Sequence, residues 1–156
     1  MAARVSGAVE AVYESALEPS VQTRTDRLQG QALDWAVAYA MCLEANEGWV
    51  IQARDLADIA MRNGSSISSD PHVLGILIER DGMTVGPWTT SPFAAHMGPV
   101  EAVNSANPRI VGPTPLIAAL RCYVWSKIGD SLSIPARLLQ PDDADAPAAH
   151  APRQRG

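Results

Sequence analysis

The chain has 156 residues, 47% of them hydrophobic, and a formal net charge of −5. This length supports one domain with its own core, and the acidic balance provides no basic field to track a phosphate backbone or an anionic membrane. We therefore expect neither general nucleic-acid binding nor a membrane partner. No apolar run in the sequence reaches the roughly 20 residues that a bilayer span needs.

Residues 4 to 18 have the pattern of an amphipathic helix with Glu10 and Glu14 on its polar side. The apolar side consists of Val5, Ala8, Val9, Val12 and Ala16. The segment lacks the continuous apolar stretch of a signal peptide, and a linker, "EPSVQTRTD", follows it. We predict that residues 1 to 22 form a helical extension and linker whose apolar stripe needs a partner surface.

A second helix is predicted over residues 26 to 44, where apolar residues occupy most of the helical wheel. Such a helix is buried on most sides. Asp34 lies within it and leaves two interpretations open: a buried carboxylate paired with Arg121, or a residue that marks one exposed strip. Cys42 and Cys122 lie in apolar helical patterns, which favours two reduced, buried thiols over a disulfide framework.

The next segments predict a strand and two helices. Residues 48 to 52, "GWVIQ", resemble a short strand, and residues 53 to 62 a short helix that ends at Asn63-Gly64. Ser69 is well placed to cap a further helix over residues 70 to 80. That helix has Pro71 in its first turn, where proline is favoured.

The second half of the domain is predicted to contain two short strands, a loop and the clearest helix of the chain. Residues 83 to 88 and the segment "PFAAHM" have strand patterns, and residues 98 to 113 are predicted to be a long loop because they are rich in Gly and Pro. The helix runs to Ile128, with Thr114 as its N-cap and Gly129 as its stop. Residues 140 to 156 have the composition of a disordered tail.

Three blocks of the chain together resemble the NinX family of small proteins from lambdoid phages and prophages. They are "LQGQALDWAVAYA" (28 to 40), "SSDPHVLGILIERDGMTVGPW" (68 to 88) and "GPTPLIAALRCYVWSKIGDSLSIP" (112 to 135). Two features depart from the family pattern: Pro71 and His72 stand where an aromatic residue usually follows Ser-x-Asp, and residues 1 to 22 precede the usual start.

The resemblance implies a relative of the phage ABA sandwich domains, in which helices flank a small sheet. Together with the predicted elements, this gives a single α+β domain over residues 23 to 139, with a small antiparallel sheet, the N-terminal extension and the C-terminal tail. It also implies a phage accessory protein in the cytoplasm of the bacterial host. The biochemical role of the family is not established, so no activity follows from the resemblance.

A candidate ligand site lies at the start of the helix over residues 115 to 128. Backbone N–H groups after Thr114 favour an anion, and Arg121 and Trp125 follow on one side of the helix. With Trp88 as a second indole, these parts would hold a phosphate-bearing ring compound. Ser69 and Asp70, at the other capped helix start, complete the candidate residues; a helix cap and an amphipathic rim explain the same residues without a ligand.

Three function classes follow, in the order that the sequence favours them. The first is a non-catalytic protein that binds and sequesters a small anionic, nucleotide-type ligand, as a counter-defence protein would. The second is an interaction module for a host or phage protein, or a homo-oligomer, since the extension carries an apolar stripe. The third is a small enzyme acting on nucleotides; the sequence has no catalytic set, metal-ligand spacing or cofactor motif that supports it.

Overall fold

The computed structural model describes residues 19–45, 50–64, 66–87, 92–98 and 107–139. These residues form a mixed α+β domain, as predicted. Its helices are α1 (Gly30–Ala45), α2 (Val50–Arg62), α3 (Pro71–Asp81) and α4 (Pro115–Ile128). Its strands are β1 (Ser20–Arg24), β2 (Met83–Pro87), β3 (Phe93–Met97), β4 (Ile110–Gly112) and β5 (Ser131–Pro135). Short 3-10 turns lie at Thr25–Arg27, Ile67–Ser69 and Ala136–Leu138.

The strands form two antiparallel sheets where the sequence suggested one. One sheet pairs β1 with β5, and the other has the order β2-β3-β4. In the first sheet Val21 lies opposite Ile134 and Thr23 opposite Leu132. Ile134 and Leu132 are buried, so the β1–β5 pair closes one side of the core although its strands come from opposite ends of the domain.

Helices α1 and α4 form the centre of the core. Every residue from 32 to 40 of α1 is buried, as is every residue from 118 to 124 of α4. The strand β4 lies so close to α4 that a Cβ atom built on Gly112 would come within 2.6 Å of the backbone nitrogen of Ala118. Gly112 therefore permits a close backbone contact between β4 and α4, and any larger residue would force the two elements apart.

The structure corrects the predicted strand and linker at two places. Residues 20 to 24, predicted as linker, form β1. The sequence did not reveal this strand because its partner β5 lies more than a hundred residues away. The predicted strand over residues 48 to 52 is wrong from Val50 onward, where α2 begins. Ala53 and Ala57, one turn apart, are fully buried, and their small side chains let α2 pack closely on α1.

Two further predictions on loops and caps are corrected. The predicted loop over residues 98 to 113 contains β4, a strand of only three residues that is too short to give a sequence signal. The cap of α3 is Asp70, which accepts a hydrogen bond from the backbone N–H of His72, so the predicted cap Ser69 is wrong by one residue. The predicted cap of α4, Thr114, is confirmed. The predicted N-terminal helix and C-terminal tail lie outside the described residues.

Candidate functional site

Arg121 lies inside the domain and bonds to two separate backbone segments. The side chain lies on α4, and only 8% of its surface is exposed. The Nε atom donates to the carbonyl of Leu28 at 2.8 Å, and Nη1 donates to the carbonyl of Val111 at 2.9 Å. Arg121 thus joins α4 to the start of α1 and to β4. This arrangement supports a structural role more strongly than contact with a ligand.

Asp34 is buried and bonds to the turn before α3. Its exposed fraction is 4%, and its Oδ1 atom accepts a hydrogen bond from the backbone N–H of Ser68 at 2.6 Å. Of the two interpretations of Asp34, burial is the one that the structure shows, but the hydrogen bond goes to a backbone amide. Asp34 on α1 therefore holds the turn before α3, and Arg121 on α4 holds the start of α1 and β4.

The predicted ligand residues are distributed over two helix starts. Thr114 is exposed, and its hydroxyl accepts a hydrogen bond from the N–H of Ile117 at 3.1 Å; Trp125, further along α4, is half-buried. Ser69 and Asp70 lie at the start of α3, where Ser66 donates to the Ser69 hydroxyl. Trp88 lies outside the described residues. The position of Thr114 at an open helix start agrees with an anion site, while binding itself stays a prediction.

A groove that the sequence did not predict runs between α1, α3, α4 and the turn before α3. Its volume is about 130 Å³, and its walls are almost entirely apolar. The lining residues are Val37, Met41, Ile67, Val73, Ile76, Leu77, Arg80 and Tyr123. Met41 and Ile76 remain about half exposed, at 46% and 55%. The groove is therefore open to solvent along a lip of large apolar side chains.

The rim of the groove carries balanced charges. Tyr123 is fully buried, and its hydroxyl donates to Oε2 of Glu44 at 2.9 Å. Lys127 contacts the other oxygen of Glu44 at 3.2 Å, and Arg80 pairs with both Glu44 and Asp81. The Tyr123 hydroxyl and Lys127 hold the pKa of Glu44 below its ordinary value, while burial raises the pKa of Tyr123. The two cations and two carboxylates pair with each other here, so they add no excess charge beside the apolar walls.

The sequence held a partial signal for this groove. Val73 and Leu77 appear on the apolar face of the α3 pattern, and such residues are usually core. Ile76 lies off that face, and nothing in the pattern of α1 distinguishes Met41 from its buried neighbours. The groove depends on how α1, α3 and α4 pack against one another, and these helices are far apart in the sequence.

The described residues contain no cluster of three or more His, Cys, Asp or Glu side chains placed to hold a metal ion. Among these residues there is likewise no helix long and apolar enough to cross a bilayer. No family model, curated protein or solved structure matches the chain. The function is therefore argued from the groove and from the surface around it.

Proposed function

We propose that this protein is a non-catalytic interaction module that holds an apolar side chain of a partner protein in the groove beside α3. The observation that carries the proposal is the open apolar groove of about 130 Å³ with Met41 and Ile76 on its lip. An apolar cavity of about 150 Å³ is large enough for a benzene molecule. The groove is slightly smaller but open at its lip, so it has room for one branched aliphatic side chain or for an aromatic ring that stays partly in solvent.

A partner of this kind would present its anchor residue from an amphipathic helix or an extended segment. Binding modes of both types place one or a few apolar side chains in a groove and leave the rest of the segment in water. Burial of one large apolar side chain is worth about 1.5–3 kcal/mol, or roughly tenfold to a hundredfold in affinity. The role fits an accessory protein of the phage family that the three sequence blocks resemble, and we propose that origin with the function.

Methionine methyl resonances would test groove binding directly. The chain has five methionines, and Met41 lines the groove. In a sample with labelled methionine methyl groups, added indole should shift the Met41 signal in a saturable way. The variant Met41→Glu should lose indole binding, followed through the resonances of indole itself, because a carboxylate in the apolar groove must keep its water.

The control for this experiment is Ile59→Glu on α2. Ile59 is exposed to the same degree, 47% against 46% for Met41, and lies outside the groove. Groove binding predicts that Ile59→Glu behaves as the unchanged protein does, both with indole and in co-purification of a cellular partner. Equal loss in the two variants, or no response of Met41 to any apolar probe, would refute the proposal.

Capture of a nucleotide-type ligand at Thr114 is the second function, and the exposed start of α4 favours it. Cyclic and linear nucleotides added to the same sample should then raise the melting temperature while the Met41 signal stays in place. If no nucleotide raised the melting temperature, this alternative would be refuted, and the proposal of groove binding would be unaffected.

A further inference from the structure

Gly75 lies in the middle of α3, where neither its backbone conformation nor its packing requires a glycine. Glycine is among the least favourable residues in a helix interior. The backbone of Gly75 is helical and lacks the positive φ that explains Gly82 at the end of the same helix. A Cβ atom at position 75 would meet no atom within 4 Å. Neither backbone strain nor internal packing therefore requires glycine at this place.

The residues around Gly75 form a surface with apolar flanks and polar ends. Ile76 and Ile78 stand on either side of it with exposed fractions of 55% and 42%. His72, one turn before, and Glu79, one turn after, are exposed in line with it. We name His72, Gly75, Ile76, Ile78 and Glu79 the Gly75 face. A helix that crossed here would approach the α3 backbone closely and would cover both isoleucines.

We propose that the Gly75 face binds the same face of a second copy, with the two α3 helices antiparallel. A two-fold axis at Gly75 places the two glycines together, which permits close packing of the helices. At about 1.5 Å per residue, His72 lies about 4.5 Å from the axis and Glu79 of the second copy about 6 Å from it on the same side.

The polar pattern of the face is self-complementary in this arrangement. Each imidazole of His72 comes next to the Glu79 carboxylate of the other copy, so the pair forms twice. A parallel arrangement would instead set His72 against His72 and Glu79 against Glu79. The exposed isoleucines then supply apolar contact on both sides of the axis, and a second copy is the partner that both patterns fit.

This inference goes beyond the groove, and a dimer of this kind would cover one residue of the groove's lip, Ile76. The Gly75 face shares only Ile76 with the groove, and Gly75, Ile78, His72 and Glu79 do not line it. Loss of indole binding would therefore leave the dimer in place, and loss of the dimer would leave the Met41 response in place. The two proposals fail separately.

Substitution of Gly75 has opposite effects on folding and on self-association. Sedimentation velocity of the full chain should show a concentration-dependent dimer. Gly75→Ala should raise the melting temperature of the monomer, because alanine is the best helix former. Gly75→Leu should keep the fold, since its side chain points into open space, and should weaken the dimer about tenfold or more by steric overlap. A glycine without a packing role would show only the gain in stability.

A charge exchange tests the antiparallel geometry. Glu79→Lys alone should weaken the dimer, since it removes the carboxylate that faces His72, and His72→Glu alone should weaken it by repulsion from Glu79. The double variant His72→Glu/Glu79→Lys should regain most of the lost affinity, as coupled residues do in a double-mutant cycle. A protein that stays monomeric up to about 1 mM, a dimer indifferent to Gly75→Leu, or a double variant without recovery would each overturn the proposal.

Discussion

Three buried charged side chains, Asp34, Asp58 and Arg121, hydrogen-bond to distant parts of this domain. Arg121 donates to the carbonyls of Leu28 and Val111, and Asp34 accepts from the amide of Ser68. Asp58, 3% exposed, accepts from Nε1 of Trp35 and from Arg137, both at 2.8 Å. Each of these buried charged groups makes hydrogen bonds to groups on distant parts of the chain, so its removal costs those hydrogen bonds.

Arg121→Lys is expected to destabilise the domain although the charge is kept. A lysine ammonium is a single compact group and does not span two carbonyls as the planar guanidinium does. One buried hydrogen bond from a charged donor would be lost, and we expect the free energy of unfolding to fall by about 2 kcal/mol. Urea denaturation measures the change.

Arg62→Lys, at an exposed position near the end of α2, is the matched control for Arg121→Lys. It should change the free energy of unfolding by less than about 0.5 kcal/mol. Equal effects at the two positions would show that Arg121 does not connect α4 to the start of α1 and to β4.

At the scale of elements, the helix with the strongest start signal was predicted correctly at both ends. Thr114, Pro115 and Gly129 bound α4 where the sequence placed them, because capping depends on residues within one turn of each other. The predicted N-cap of α3 was one residue too early, since Ser69 and Asp70 are both favourable caps and the sequence alone does not choose between them. The structure chooses Asp70, because Ser69 belongs to a 3-10 turn.

The cap assignment of α3 predicts different outcomes for two adjacent alanine substitutions. Asp70→Ala removes the acceptor of the His72 N–H and should cost about 1 kcal/mol of stability. Ser69→Ala removes only a contact with the Ser66 hydroxyl between exposed residues and should cost little. Thermal denaturation measures the stability of both variants. A larger loss of stability for Ser69→Ala would show that Ser69, not Asp70, is the N-cap.

Short strands were the elements that the sequence revealed least. Strand β4 has only three residues, and β1 resembles a linker until β5 is beside it. A strand gains its stability from pairing with a neighbour and from burial of one face, so its formation depends on residues distant in sequence. The start of α2 was predicted as a strand because Val50 and Ile51 are residue types with a high strand propensity.

At the scale of the whole molecule, side-chain contacts join the two ends of the domain, β1 and β5, to each other and to α2. Side-chain hydrogen bonds join Gln22 to Ser133 and Arg54 to Ser20 and Ser133. The Cys122 thiol lies in the centre of this core with no exposed surface, and burial raises its pKa to about 12. The thiol therefore stays protonated in the folded protein under conditions that ionise it in the unfolded chain.

This difference in pKa predicts a loss of stability at alkaline pH. The stabilisation is fully present below the unfolded pKa, near 8.5 to 9, and disappears as the pH rises toward the folded value. The free energy of unfolding should thus fall by about 1–2 kcal/mol between pH 8 and pH 10 from this group. Urea titrations at several pH values measure it, and Cys122→Ala should show a shallower decrease. An unchanged slope in that variant would contradict the assignment.

The sequence by itself determined the α+β class and both ends of α4 with its cap, because these depend on composition, periodicity and contacts within one turn. It did not fix the start of α1, which was predicted at residue 26 and lies at Gly30, after a 3-10 turn over Thr25–Arg27. It also nominated Thr114, Arg121 and Trp125 for a ligand, but it did not show that Arg121 is buried. The tertiary structure alone decided that Arg121 and Asp34 bond to backbone groups, that α1 and α3 leave an apolar groove, and that Gly75 faces open space. Each of these depends on the distance between segments far apart in the chain, which no local pattern of residues encodes.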